Sequence, residues 1–514
     1  MVRKWFAKLA ASNDDAGSEE KRIADLLRRG SECQSRGEHG EAEECYRQAL
    51  SLQPENAEAC RLLAQLLALQ AHEHQERGEF DAAIEGYEES LALDHGHAQV
   101  QNNLGNVYKS LGRTQEAVTA YRDAIAIDGG LAEAHLNLGI ILWQTGDNRQ
   151  AIASVSAALK AKPLLAEANV SLGYLLEEAG DASGALECYC AAIAARPEYA
   201  EAHFNYALQL LLHGDYGTGW EEYEWRKRLP GSEGAWPDAG RAGWNGSPLQ
   251  GRVIFLYAEQ GFGDVIQFAR YAPLVAERGG KVIVSCQPKL KALLESVPGI
   301  STVLTIEDPH PAFDVCSALM SLPRIFETTL DTIPAQVPYV RPDPEKARRW
   351  STRLAADGAS LKVGLYWATE TRNRIASLKS LTLDMLAPLG GVRGVTYYSL
   401  QRGAAATQAA HPPQGMKLID LAAELEDFSD DAALISHLDL VISVDTATAH
   451  LAGAMGRPVW TLTHFPPEWR WLLARDDSPW YPTMRLFRRG PADAWEQVIS
   501  RVCQALRQLA EGGD

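Results

Sequence analysis

LGNVYKSLGRTQEAVTAYRDAIAIDGGLAEAHLNLGIILWQTG, residues 104–146, decides the fold of the first half of the chain. Leu104-Gly105 returns as Leu138-Gly139, and Gly112 returns as Gly146, 34 residues later. Working outward, Gly78, Gly112, Gly146, Gly180 and Gly214 keep this 34-residue step, and Leu172-Gly173 adds a third Leu-Gly pair. Nine residues beyond the glycines stand Tyr87, Tyr121, Val155, Tyr189 and Tyr223; five beyond stand Ala83, Ala117, Ala151, Ala185 and Gly219. Gly37, Ala42 and Tyr46 supply an earlier unit, and Pro54, Pro163 and Pro197 close three units where the next helix starts afresh. Small residues let two antiparallel helices approach closely, and the tyrosine fills the gap between pairs. A helix pair of this size cannot bury its apolar face alone, so the pairs must stack.

The pattern resembles the tetratricopeptide repeat (TPR), about six units over residues 21–228, after a flexible N-terminus at 1–20. The resemblance implies an all-α superhelix with a concave face for an extended peptide. Asn103, Asn137 and Asn205 share one repeat position, Ser171 takes the missing rung, and Asn106 lies one helical turn beyond Asn103. A carboxamide donates and accepts, so such a row could pair with a peptide backbone whatever its side chains. The row resembles the asparagine ladder of O-GlcNAc transferases, which implies acceptor binding. The competing reading is that asparagine is common here and holds inter-repeat contacts.

The chain of 514 residues is about three times the ~150 of one domain, and 46% hydrophobic with 23% charged residues gives ample core. Its net charge of −18 argues against a general nucleic-acid or anionic-membrane binder. Residues 21–228 hold about 32 acidic against about 18 basic side chains, so the excess lies in the repeats. Eight scattered cysteines form no C-x-x-C pair, and the expectation is reduced thiols in a cytoplasmic protein. No apolar run reaches the ~18 residues of a membrane span, and Lys8 interrupts the only apolar stretch of MVRKWFAKLAAS, against a signal peptide. Nothing specifies an oligomeric state.

Residues 229–250, rich in Gly, Pro and Ser, read as a linker, in which Trp236 and Trp244 suggest packing. The period then changes. RVIFLY (252–257), KVIVSC (281–286) and residues 301–305 read as strands separated by helical stretches, a first lobe at 251–345. After a Pro-rich stretch, strands are expected at 362–367, 395–400, 439–444, 459–462 and 484–487, with a closing helix at about 491–509, a second lobe at 346–514. The fold class is thus an all-α TPR superhelix followed by an α/β module of two Rossmann-like lobes, which resembles a GT-B arrangement, with a cleft at the carboxyl ends of both sheets.

Three loops at those ends carry the chemistry. In AEQGFGD (258–264), Gly261 and Gly263 let the backbone turn into a helix beside Gln260, and Asp264 is either a cleft-mouth carboxylate or a plain helix cap. In SVDTATAH (443–450), Asp445, Thr446, Ala447 and Thr448 surround a helix start fit for a diphosphate. His450 either faces a ligand or sits satisfied in the core. In ATETRNRIASLKS (368–380), Arg372, Arg374 and Lys379 could neutralise a leaving nucleotide, or the arginines could form a solvated face.

EQGFGDVIQFARY (259–271) and DLVISVDTATAHLAGAMGRPVW (439–460) resemble bacterial glycosyltransferase family 9, the heptosyltransferase-like enzymes, over roughly residues 250–512. WRWLLARDDSPWYPTMRLFR (469–488) resembles a tail of proteins fusing TPRs to such a domain. The resemblance implies Asp264 as the base for the acceptor hydroxyl, Lys379 on donor phosphate, Asp445, Thr446 and His450 lining the donor site, and Gln401 at the nucleotide base. It also implies a nucleotide-sugar donor, no cofactor and no metal; no D-x-D pair stands at a strand end. The first lobe is short, however, and its glycine-rich loop lacks the basic residue many heptosyltransferases carry before it. The fusion order resembles O-GlcNAc and flagellin glycosyltransferases. The leading expectation is therefore transfer of sugar to Ser or Thr of a polypeptide recruited by the repeats. The alternatives are a lipid-linked or polysaccharide acceptor, and a TPR adaptor with a degenerate transferase domain.

Overall fold

The computed structural model describes residues 2–232, 243–355, 361–370 and 374–512, with side chains described from residue 19 onward except those of 374 and 375. The first half is helical: α1 (Val2–Ser35), α2 (His39–Leu52), α3 (Ala57–Glu76), α4 (Phe80–Leu93), α5 (Ala98–Ser110) and α6 (Thr114–Ile127). Then come α7 (Ala132–Gln144), α8 (Asn148–Ala161), α9 (Ala166–Ala179), α10 (Ala182–Ala195), α11 (Ala200–Leu212) and α12 (Tyr216–Tyr223). The first begins inside the segment read from the sequence as a flexible terminus. Each hairpin turns on a glycine of the repeat, Gly37, Gly78, Gly112, Gly146, Gly180 and Gly214, all at φ between 71° and 91°, a left-handed conformation that a Cβ disfavours.

The repeat tyrosines Tyr46, Tyr87, Tyr121 and Tyr189 are fully buried. Three hydroxyls donate to the residue twelve positions back: Tyr46 to Gln34 (3.0 Å), Tyr87 to Gln75 (2.9 Å) and Tyr189 to Glu177 (2.6 Å). Lys109 stands at that position in the third case, a donor that cannot accept, and Tyr121 donates instead to Asn106 at 2.9 Å.

The second half holds two parallel sheets. The first comprises β1 (Val253–Tyr257), β2 (Lys281–Cys286), β3 (Ile300–Thr305) and β4 (Val315–Ala318) in the order β3-β2-β1-β4. Its helical connections are α13 (Phe262–Phe268), α14 (Ala272–Ala276), α15 (Lys291–Leu294) and α16 (Leu322–Ile325). After α17 (Pro344–Ala355) come β5 (Leu361–Tyr366), α18 (Arg374–Lys379), β6 (Val395–Ser399), β7 (Leu418–Asp420), α19 (Phe428–Ile435) and β8 (Leu440–Val444). The chain ends with α20 (Ala447–Ala454), β9 (Val459–Thr463), β10 (Met484–Arg488) and α21 (Trp495–Ala510), and the second sheet has the order β10-β9-β8-β5-β6-β7. Strands β4 and β7 are additions to the sequence reading; VCSA lacks a β-branched run, and LID is a three-residue edge.

The chain forms two compact units, Met1–Leu175 and Leu176–Asp514. The division falls inside α9 rather than in the Gly/Pro-rich segment. Within the second unit, Leu211, Tyr216, Trp220 and Tyr223 of the last repeat share one core with Ile254, Phe268, Trp469 and Trp480. Trp220 Nε1 donates to the Thr328 carbonyl at 3.1 Å. Trp244 is buried, its ring 5.8 Å from Phe326, so that end of the segment does pack; Trp236 lies outside the described residues.

Candidate active site

Strand order places the site. In the second sheet, β5 has β6 on one side and β8 on the other, so the chain leaves in opposite directions on either side of the β5–β8 pair. Ligands of open parallel sheets bind at such a switch point, beyond the strands' carboxyl ends. The segment after β5 leads into α18 and Lys379, and that after β8 supplies Asp445 and Thr446. In the first sheet, β1 lies between β2 and β4, and the loop beyond it carries Glu259–Asp264. These loops border a cavity of about 600 Å³ lined by Gly261, Gly263, Lys379, Asp445, Thr446 and Glu468 among others. A smaller pocket of about 180 Å³ shares several of these residues and reaches Gln260, Asp264, His450 and Arg470.

A chain of alternating charges runs between the two spaces. Lys379 Nζ donates to Asp445 Oδ2 at 3.2 Å and to Glu468 Oε1 at 2.6 Å. The other oxygen of Glu468 accepts from Arg470 Nη1 at 2.8 Å. Arg470 then pairs through Nη2 with Asp264 and through Nε, at 2.5 Å, with Gln267 Oε1. Three carboxylates and two cations thus share one mostly buried row. Burial raises the Asp264 carboxyl above its usual range, with Arg470 opposing. Burial alone would lower Lys379, but Asp445 and Glu468 together hold it above the usual lysine range. Burial works against the Glu468 charge as well, yet Lys379 and Arg470 keep it ionised, well below the usual carboxylate range.

Thr446 caps α20 with extended backbone (φ −146°), and its hydroxyl lies 3.1 Å from Ser443 Oγ. Ala447 and Thr448 follow on the cavity wall, and the first N–H groups of a helix have no acceptor within it. Gly263 permits the close approach of α13 to α20: a Cβ there would come within 2.9 Å of His450 Cδ2. His450 is buried, its Nδ1 2.8 Å from the Tyr481 hydroxyl, and burial pushes it down to about 3, so it is neutral. It borders the smaller pocket while being held as a core histidine.

Gln401 departs from its expected place at a nucleotide base. It is fully buried and absent from the cavity wall; its oxygen accepts from the Trp367 and Ala368 amides (2.9 and 2.8 Å). Its nitrogen donates to the Ala368 and Arg402 carbonyls, both at 2.8 Å. Both donors and both acceptor positions are therefore used, three of the four bonds tying the segment after β6 to that after β5. Arg372 and the side chain of Arg374 lie outside the described residues.

Within the first unit, the carboxamides have intramolecular partners. Asn137 Nδ2 donates to Asn102 at 3.0 Å while its oxygen is 3.5 Å from Lys109 Nζ, Asn103 accepts from Gln99 at 3.1 Å, and Asn106 accepts from Tyr121. All three keep partial exposure, as does Asn205 in the second unit.

The sequence reading gave no role to Glu468, Arg470, Arg402 or Asp431. A usable signal was EWRW at 468–471: Trp469 and Trp471 are buried, and charges interleaved with buried tryptophans need partners. Also on the cavity wall, Arg402 pairs with Asp431 at 2.6 Å, and burial pushes the Asp431 carboxyl up to about 7. Among the described residues the one His/Cys/Asp/Glu cluster with metal-ligand spacing is Cys33, Glu38 and Glu41, in the repeats.

Residues 105–146 match a family described as TPR repeat, and residues 26–56, 136–189 and 178–219 match tetratricopeptide repeat families. Residues 399–468 match glycosyltransferase family 9 (heptosyltransferase), a span holding Asp445, Thr446, His450 and Glu468. Protein FlbA of Caulobacter vibrioides is 29% identical over 332 residues, covering 60% of this chain and 55% of that protein. Two solved structures are similar in the repeat fold. The Pseudomonas aeruginosa pilF structure (22% identity, TM-score 0.33) covers 42% of this chain and 95% of that one. YrrB, described as a TPR protein with an unusual peptide-binding site (20%, TM-score 0.29), covers 37% and 94%. The chain therefore carries TPR repeats followed by a heptosyltransferase-like domain of two α/β lobes. No described helix is long and apolar enough to cross a membrane.

Proposed function

We propose that the chain transfers a sugar from a nucleotide-sugar donor to an acceptor hydroxyl in the cleft between its two α/β lobes. The observation that carries this reading is the convergence of Asp264, Lys379, Asp445 and the start of α20 on adjoining spaces at the switch points of both sheets. The donor diphosphate lies against Lys379 and the first amides of α20, where helix dipole and ammonium offset its charge. Asp264, its basicity raised by burial, takes the proton of the acceptor hydroxyl. The acceptor oxygen bonds to the anomeric carbon as the bond from that carbon to phosphate oxygen breaks, and the nucleotide leaves with both electrons. Arg470 and Glu468 link base to leaving-group cation and fix their separation. Every carboxylate of this row already faces a cation, which favours metal-independent transfer by these residues.

The match to family 9, described as heptosyltransferase, favours a saccharide acceptor on a lipid or polysaccharide over Ser or Thr. The polypeptide acceptor stands as a second reading because the last repeat shares a core with the transferase, which brings a protein-binding module to the catalytic unit. Calorimetric titration with UDP, GDP, ADP and CMP and their sugars tests the donor site. One base should bind selectively; Lys379→Ala should abolish that binding, and Asp264→Asn should keep it while transfer falls on the order of 10²–10⁴-fold. Silence across the whole panel sinks the enzymatic reading. With the donor known, transfer to a lipid-linked glycan or to a peptide separates the two acceptors.

A further inference from the structure

Arg226 follows α12 in the 3₁₀ turn Glu224–Arg228, where the repeats end. Its side chain is 2% exposed, and it meets Glu259, 3% exposed, in the glycine-rich loop beyond β1. The pairing is bidentate: Nε donates to Oε1 at 3.1 Å and Nη2 to Oε2 at 2.9 Å. The remaining donors are also engaged. Nη1 reaches the Tyr223 carbonyl at 3.1 Å and Glu224 Oε1 at 2.8 Å, and Nη2 also reaches Ser321 Oγ at 2.9 Å. Glu224 is itself held by Lys227 (2.7 Å) and Ser321 (3.1 Å). The guanidinium lies 4.9 Å from the centre of the Tyr223 ring, the repeat tyrosine of this unit.

Such a buried pair gives little net stability compared with an apolar packing of the same volume; what a bidentate guanidinium supplies is a fixed geometry. The geometry fixed here is that of the loop that turns into α13. Glu259 precedes Gly261 by two residues and Asp264 by five. On the other side, Gln287 Nε2 holds the Gln260 carbonyl at 2.6 Å. Two glycines leave this loop little stiffness of its own, so its course depends on its anchors: Glu259 at its start, the Gln260 carbonyl, and Asp264 at its end, which Arg470 holds. The last two are held from the sheet lobes, and the first is held from the repeats.

We propose that Arg226 is a positioning residue for the reaction: through Glu259 it sets the path of residues 259–264 and hence the place of Asp264, making the end of the repeat region part of the catalytic unit. This rests on the reading of Asp264 as the base.

The test uses the full chain as wild type, Arg226→Met and Glu259→Gln. Three quantities are followed: hydrogen exchange at residues 259–268 against residues 447–454, calorimetric binding of UDP, GDP, ADP and CMP, and transfer kinetics. Expected for both variants are tenfold or faster exchange at 259–268 with 447–454 unchanged, nucleotide Kd within twofold, and kcat lowered at least tenfold at unchanged donor KM. A purely structural defect would instead speed exchange in both segments and weaken binding. Unchanged exchange at 259–268 in a folded variant overturns the proposal, and so does faster exchange with unchanged kcat. If Arg226→Met does not fold, Glu259→Gln, a neutral residue of the same shape, decides alone. Failure of the wild type to bind any of the four nucleotides removes the enzymatic reading instead, because the exchange comparison still reports whether Arg226 holds the loop.

Discussion

The helix pairs α7–α8 and α11–α12 are built on one 34-residue register and do different work. In the first, Asn148 and Ile152 face positions that need only a neighbouring repeat, and Ile152 packs at the edge of the repeat core. In the second, Tyr216 and Trp220 stand at those two positions. Tyr216 stacks on Trp480 with ring centres 6.2 Å apart, and Trp220 lies edge-on to Trp469 at 5.2 Å. The shared glycine at the turn makes the hairpin, and a buried side chain, Val155 in the first pair and Tyr223 in the second, fills the gap. The departures at the other two positions decide what the hairpin docks on.

The comparison breaks most visibly at Trp220. Trp220→Ala should cost ~3–5 kcal/mol, against roughly 1–2 kcal/mol for Ile152→Ala, in urea unfolding followed by fluorescence and circular dichroism. Equal costs would mean that the last pair is an ordinary repeat. Glu177 sharpens the contrast through pH. Burial raises its carboxyl from 4.5 to about 7, whereas Glu224 at the junction is lowered to about 2: burial opposes its charge, but Arg226 and Lys227 outweigh it. For Glu177 the folded state binds the proton more tightly, so the ionisation penalty is absent below about 4.5 and complete above about 7. Glu177→Gln, which can still accept from Tyr189, should therefore stabilise the protein by on the order of 1–3 kcal/mol at pH 8, the gain fading as pH falls through that window. Glu224 has the reverse sign: its contribution is present above about 4.5 and is lost as pH falls toward 2. A Glu177→Gln gain that does not vary with pH would point to packing instead of charge. The smallest effect belongs to the exposed pair Glu133–Lys162 (45% and 56% exposed), where Glu133→Gln should change stability by less than about 0.5 kcal/mol.

Repeat and strand positions were legible because they rest on periodicity. Gly112 and Gly146 announce their turns by spacing alone, and RVIFLY and KVIVSC announce buried parallel strands by unbroken apolar character. Lys379, Asp445 and Asp264 were legible as residues at strand ends beside glycine or a helix start. Their partners were not. Glu468 lies 89 residues from Lys379, and Arg470 lies 206 from Asp264; no local rule reports a pairing over such a distance. Gln401 misled for a related reason: a strand-end carboxamide looks like a ligand group until the neighbouring strand's amides are seen to saturate it. The Gly/Pro-rich stretch at 229–250 was legible as a segment that packs through Trp244, but composition says nothing about the core shared across it.

The core shared by Trp220, Trp469 and Trp480 bears on how chimeras of this architecture should be cut. A swap made at the glycine- and proline-rich segment would leave three aromatic side chains of α12 facing a foreign sheet module, and would leave Glu259 buried with no cation. An exchange that takes the last repeats along with the sheets moves a closed piece of structure, and the repeats ahead of it become the part that can be traded between proteins.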